Sequence, residues 1–317
     1  MGEPLTQRPT RVILDTDLAM GAPGSDIDDG FALALAVADP DLSLELVTTV
    51  GGNSDVDTST RLTADLLRVL GRTDVPLVRG AGRPLNPALR HDDLPAPASD
   101  GTYAAAEIVA RVLAEPGELT LVTIGPLTNV ALALMLEPRV ATAVREIVVM
   151  GGVYLEQTNV GWMPGEYNFW CDPDAAQLVL GSGARLRLVG LDVTRRVRLD
   201  RGDCARLAEG GEFGRMAAEF TEGWISFQER VKPREQLEQG SCALHDPLAV
   251  AVVTRPDLVT WQDAHVAVET AGRVTRGVAV ADLLMWEDPP APNCRIATAV
   301  DADAFRALFL ERMAGLP

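Results

Sequence analysis

The chain has 317 residues, 47% of them apolar, and a formal net charge of −17. That suits one large α/β domain or two modest ones with ample core, and the acidity excludes the basic face that nucleic-acid phosphates require. The four cysteines, Cys171, Cys204, Cys242 and Cys294, are scattered with no C-x-x-C pair, which excludes zinc-site spacing and argues against a disulfide framework at this size.

In chain order, the first strand is Val12-Ile13-Leu14 running into Asp15-Thr16-Asp17. A loop with glycine and proline, Leu18 to Ile27, leads to Asp28-Asp29, which open a helix ending at Ala38. Leu44 to Val50, rich in β-branched residues, reads as a strand ending in Gly51-Gly52-Asn53. A helix is predicted from Thr58 to Leu70, stopped by Gly71, then a short strand over Val75 to Val78. Residues 80–101 are rich in proline and aspartate and read as a loop, with His91 inside it.

A helix from Tyr103 to Ala114 and a strand from Leu119 to Ile124 follow. Gly125-Pro126-Leu127-Thr128-Asn129 turns into a helix that stops near Glu137-Pro138. Glu146 to Met150 is a strand, and Val153 to Asp172 a second long loop containing Glu166-Tyr167-Asn168. Pro173 begins a helix, and Arg185 to Leu191 is a strand ending in Asp192. Asp200 to Gln239 is helical and charged; His245-Asp246-Pro247 opens an apolar helix to Val253. Three β-segments (259–269, 273–281, 295–300) and a helix from Asp301 complete the chain. Met1 to Leu5 lacks an apolar run and no long window is free of charge, so a cytoplasmic protein with no membrane partner is expected.

Strands alternating with helices predict a single α/β domain over residues 1–317: a mainly parallel, Rossmann-like open sheet flanked by helices. Asp15 and Asp17, Asn53, Ile124 and Gly125, Met150 and Gly151, and Asp192 all fall just past predicted strand ends. That C-terminal edge is where open α/β sheets bind ligands.

Asp15, Asp17, Asp26, Asp28 and Asp29 crowd into residues 15–29. A helix cap with acidic first-turn residues covers Asp26, Asp28 and Asp29 but not the pair ending the strand. So many like charges at close range either splay into solvent or hold a cation among them, and a hard one such as Ca²⁺ or Mg²⁺ suits oxygen donors. His245-Asp246 reads as a cap or a site. Trp224 and Phe227, three apart on a helix, suit a core stripe and stand as candidate substrate-stacking contacts. There is no P-loop lysine at 125–129 and no G-x-G-x-x-G after the first strand.

Taken together, these segments resemble the nucleoside hydrolase family of the inosine-uridine-preferring type. Ile13-Leu14-Asp15-Thr16-Asp17 and Asp28-Asp29-Gly30-Phe31-Ala32-Leu33 match the two halves of its opening motif, D-x-D-P-G-x-D-D before an apolar helix. Thr48 to Asn53, Gly125 to Ala131, Val148 to Gly152, Glu166-Tyr167-Asn168, Asp172 to Ala176, Gly190 to Thr194 and His245-Asp246-Pro247 follow in the family's order. The chain departs at the Pro-Gly link, which Leu18 to Ile27 replaces.

The resemblance implies hydrolysis of the N-glycosidic bond of a ribonucleoside with one Ca²⁺, in nucleobase salvage, by a homodimer or homotetramer. It implies metal ligation by Asp17, Asp29, Asp246 and the carbonyl of Ile124, with a water and the ribose 2′- and 3′-hydroxyls completing the sphere. It implies ribose binding by Asp28, Asn53, Met150, Glu166 and Asn168, Asp17 as base toward the metal-bound water, and His245 as acid for the leaving base. Two alternatives differ in class: a haloacid-dehalogenase-like phosphatase with Asp15 as nucleophile, and a nucleoside- or sugar-binding protein without turnover.

Overall fold

Val12, Ile13 and Leu14 are each at most 1% exposed. Their side chains alternate, Val12 and Leu14 joining one hydrophobic cluster and Ile13 the other. A strand buried on both faces must lie inside a sheet covered on both sides. In the computed structural model, which describes residues 8–86, 103–156, 163–232 and 239–317, it does. His91 and residues 157–162 and 233–238 of the predicted loops and helix lie outside the described residues.

The strands are β1 (Thr10–Thr16), β2 (Leu42–Thr49), β3 (Leu77–Arg79), β4 (Leu119–Thr123), β5 (Glu146–Met150), β6 (Leu186–Val189), β7 (Arg198–Asp200), β8 (Ser241–Ala243), β9 (Val259–Val268), β10 (Ala279–Asp282) and β11 (Cys294–Val300). Nine of them form one sheet in the order β10-β9-β11-β6-β5-β4-β1-β2-β3. From β11 to β3 all pairings are parallel; β9 pairs antiparallel with β11 and β10. The run 3-2-1-4-5-6 is the doubly wound order, whose ligand crevice opens where β1 and β4 diverge.

Helices α1 (Asp28–Ala38), α2 (Val56–Val69), α3 (Tyr103–Ala114), α4 (Thr128–Leu136), α5 (Val140–Ala143), α6 (Tyr167–Cys171), α7 (Pro173–Leu180), α8 (Leu191–Thr194), α9 (Arg201–Ala208), α10 (Glu212–Val231), α11 (His245–Thr254) and α12 (Ala302–Ala314) complete the fold. Phe31 of α1, Leu248 of α11 and Phe309 of α12 pack on one face; Ile108 of α3, Val130 of α4 and Val179 of α7 pack on the other.

Several local expectations are corrected. The third strand forms at 77–79 rather than 75–78, starting two residues and ending one residue later than expected. The second loop contains α6, whose N-cap is Glu166. Among the described residues the stretch 200–239 holds two helices, α9 and α10, and its flanks pair as a separate ribbon of β7 and β8. Asp28 does not cap α1: Ile27 holds that position without a side-chain cap bond, so the first-turn carboxylates are free for other partners.

Candidate active site

Asp15 and Asp17 leave β1 on the same side of the sheet, yet their surroundings differ. Asp15 is directly opposite Thr48 in the β1–β2 register. Its Oδ1 accepts from Thr48 Oγ1 at 2.5 Å and Asn129 Nδ2 at 2.7 Å. Asn129 also donates to the Thr49 carbonyl, and its own Oδ1 accepts from Ala81 N. Asp15 is therefore a strut between β1, β2 and α4, and desolvation raises its pKa to about 7.

Asp17, fully buried, accepts from Asn53 N at 2.7 Å through Oδ2, while Oδ1 has no hydrogen-bond partner among the described residues. Two glycines make room for it. A Cβ on Gly52 would strike the carboxylate, and one on Gly125 would stand 2.9 Å from Oδ1.

Across from it, Asp29 accepts from Thr16 Oγ1 at 2.5 Å and Asn53 Nδ2 at 3.0 Å. Asn53 thus bridges Asp17 and Asp29 by its backbone and side-chain nitrogens. Asp28 Oδ2 accepts from the backbone N–H of Asp246 at 3.2 Å. Carboxylate oxygens of Asp28, Asp29 and Asp246 all lie within 4.8 Å of one another, so this group could hold a metal ion. Each of these residues is at most 3% exposed. Desolvation first, then mutual repulsion, holds Asp17, Asp28 and Asp246 well above the usual carboxylate range. The helices α1 and α11 both begin here, and their dipoles offset part of that charge.

The far wall is built from β4, β5 and α6. Asn168 Nδ2 donates to the carbonyls of Ile124 at 3.0 Å and Met150 at 3.1 Å, with Met150 Sδ at 3.4 Å. Glu166 accepts from the amides of Gly152, Asn168 and Phe169 at 2.7–3.1 Å, which fixes the start of α6. Its burial raises the carboxyl to about 7 against those three donors.

His245 Nδ1 lies 2.8 Å from Thr194 Oγ1. The residue keeps some solvent access, but desolvation, then Arg198, Lys232 and Arg195, push its pKa down to about 3. The ring is neutral at pH 7.

Asp17, Asp28, Asp29, Asn53, Ile124, Met150, Glu166, Asn168 and Asp246 thus converge at the β1/β4 crevice. Trp224 and Phe227 stand apart from that hydrogen-bonded set, on α10, stacked on each other at 5.4 Å and 13°. Both are half-buried, and Trp224 packs against the first hydrophobic cluster as its spacing suggested.

Sequence profiles and solved structures agree on what this geometry is. Residues 12–307 match the profile described as inosine-uridine preferring nucleoside hydrolase. The chain belongs to that family. A non-specific ribonucleoside hydrolase of Salmonella typhi is 36% identical over 96% of this chain and 98% of its own. A pyrimidine-specific ribonucleoside hydrolase of Enterobacter sp. (strain 638) is 35% identical over 96% and 97%. The structure of a purine-preferring ribonucleoside hydrolase from Gardnerella vaginalis aligns with a TM-score of 0.82 at 28% identity, covering 96% of this chain and 98% of that one.

The protein is a ribonucleoside hydrolase, an N-glycosidase cleaving the bond between ribose and base. The phosphatase alternative is not favoured by these matches, and its nucleophile would have been Asp15, which is fully buried and tied to Thr48 and Asn129. No helix among the described residues is long and apolar enough to cross a membrane.

Three contributors escaped the sequence reading. Thr16 orients Asp29, Thr194 orients His245 and Asn129 holds Asp15. Each lies in a segment that carries the family resemblance, but a hydroxyl or amide beside an aspartate carries no spacing signal of its own.

Proposed function

We propose that this hydrolase is calcium-dependent, with Asp17 as its general base. The observation that carries the reading is the buried carboxylate cluster: Asp28, Asp29 and Asp246 within 4.8 Å of one another, beside an Asp17 oxygen without a hydrogen-bond partner among the described residues. Carboxylates this close are costly without a cation. The donors are all oxygens, which fits a hard ion. Asp17, Asp29, Asp246 and the Ile124 carbonyl would hold Ca²⁺. When bound, the ion would lower the pKa of a water and fix it with the ribose hydroxyls.

Asp17 takes the proton of the attacking water. Asp28, Asn53, Met150, Glu166 and Asn168 bind the ribose. Oxocarbenium charge develops on the sugar as the bond breaks, and the surrounding carboxylates stabilise it. His245 assists the departing base. A pKa near 3 means that the ring stores no extra proton at pH 7. With Thr194 Oγ1 assigned as donor to Nδ1, the neutral ring carries its hydrogen on Nε2 and acts as a hydrogen-bond donor. Trp224 and Phe227 contact the base.

The products, ribose and a free base, suit purine and pyrimidine salvage. Four free, buried cysteines fit a reducing cytoplasm. A homodimer or homotetramer completes the proposal, on the family resemblance alone.

The deciding experiment is a reducing-sugar assay over purine and pyrimidine ribonucleosides. Ribose should appear, should cease on chelation and should return with Ca²⁺. Turnover that survives exhaustive chelation would remove calcium from the proposal. Tight nucleoside binding with no ribose released would instead favour the non-catalytic alternative.

A further inference from the structure

Asn53 reaches Asp17 by its backbone nitrogen, and that nitrogen belongs to a peptide gripped at its other end. The Gly52 carbonyl of the same peptide accepts from the hydroxyl of Tyr167 at 2.9 Å. Tyr167 opens α6, after β5, whereas Gly52 follows β2; β4 and β1 stand between those strands in the sheet. The bond therefore crosses the crevice and joins residues 115 apart in sequence. The hydroxyl is the donor, because a carbonyl can only accept. Burial first, then Cys171 and Asp17, holds the phenol above its ordinary range, so the donor keeps its proton. The Cys171 thiol, one helical turn on, is a second partner of the same hydroxyl.

Two hydrogen bonds thus meet in one peptide: Tyr167 O–H to the Gly52 carbonyl, and Asn53 N–H to Asp17 Oδ2 at 2.7 Å. The carbonyl and N–H of a peptide belong to one planar, delocalised unit. A bond accepted at the oxygen polarises that unit and strengthens its N–H as a donor, by about 10–30%. The plane is held from its flank as well. Gly52 N–H donates to the Ser54 carbonyl at 3.0 Å, and the missing Cβ at Gly52 lets the chain lie against the Asp17 carboxylate. With Oδ2 fixed in this way, the second oxygen of Asp17 keeps one orientation.

We propose that Tyr167 is a positioning residue for Asp17, its hydroxyl setting the orientation of that carboxylate through the Gly52–Asn53 peptide. The inference rests on the reading of Asp17 as base and calcium ligand, and adds the group on the opposite wall that aims it. A different role for the same side chain makes a different prediction. If Tyr167 merely braced α6, its loss would disturb Glu166 and Asn168, and ribose affinity would change rather than turnover.

Tyr167→Phe provides the test, because it removes one oxygen and keeps the ring beside Trp170. With calcium-saturated enzyme and inosine, kcat should fall about three- to tenfold while KM stays within about twofold, the factor that one hydrogen bond of ordinary net strength supplies. By calorimetry, the Ca²⁺ dissociation constant should rise by a similar factor. In single turnovers, adding Tyr167→Phe to Asp17→Asn should slow the reaction no further than Asp17→Asn alone, since both act on one group. A raised KM with kcat retained would assign the side chain to α6 and overturn the proposal. So would unchanged kcat and Ca²⁺ affinity, or an undiminished loss on top of Asp17→Asn. Wild-type turnover in Asp17→Asn by itself would instead refute the base role. The Ca²⁺ affinity of Tyr167→Phe would then still decide whether the hydroxyl aims Asp17.

Discussion

The floor and the rim of the crevice are built on different terms. At the floor, Asn53 ties Asp17 to Asp29, Asn168 ties Ile124 to Met150, and Glu166 is gripped by three amides. On α10, by contrast, Trp224 and Phe227 stack on each other, and Trp224 also packs against the core. A polar network in a dry site specifies one geometry and penalises an ill-fitting group heavily. Stacking faces tolerate variation. On the proposed reading the sugar end is set strictly and the base end loosely, and the names of the relatives carry a spread of base preference: pyrimidine-specific, non-specific and purine-preferring.

Breaking the floor should have the largest effect. Asp17→Asn and Asp246→Ala are each expected to lower kcat on the order of 10²–10⁴-fold or more, and to weaken Ca²⁺ binding in calorimetry. Wild-type turnover in either purified variant would refute the roles assigned to them.

His245 is the proposed partner of the departing base, so its loss should depend on the leaving base. We expect His245→Ala to slow inosine by about 10²-fold, but to affect much less a riboside whose leaving group departs as a stable anion. Equal slowing of both substrates would argue that the ring only positions the site.

The smallest effect concerns stability. The Asp15 pKa is raised from its ordinary range to about 7 by desolvation. A raised folded-state value means that stability from this group is full below about pH 4 and is lost as pH climbs through 7. In chelated protein, Asp15→Asn should retain about 2–4 °C of the melting temperature that the wild type loses between pH 5 and pH 8. Parallel pH profiles for the two proteins would show that Asp15 is not responsible.

The floor was the legible part in sequence. Strand 146–150 and helix 103–114 form at their expected bounds; Gly151-Gly152 punctuates the end of the strand. The carboxylate convergence was legible from the spacing of residues at strand ends. Less legible was anything set by pairing across the chain. The β7–β8 ribbon is two three-residue strands from either side of a helical stretch, too short for periodicity. The start of α6 is capped by a glutamate, outside the usual Ser, Thr, Asp or Asn signal. That Asp15 would be a strut followed from Asn129, more than a hundred residues away.

The hydrogen bond from Asp246 N to Asp28 joins residues 218 apart in sequence. A chain still emerging from the ribosome has the opening aspartates long before it has their counterpart on α11. On the proposed calcium reading, the ion would not template early folding, since half of its proposed ligands would not yet exist. Affinity for the ion instead reports completion, because whatever unseats α11 from α1 dissolves the cage. Calcium retention would then serve as a gauge of intact tertiary structure in variants anywhere along the chain.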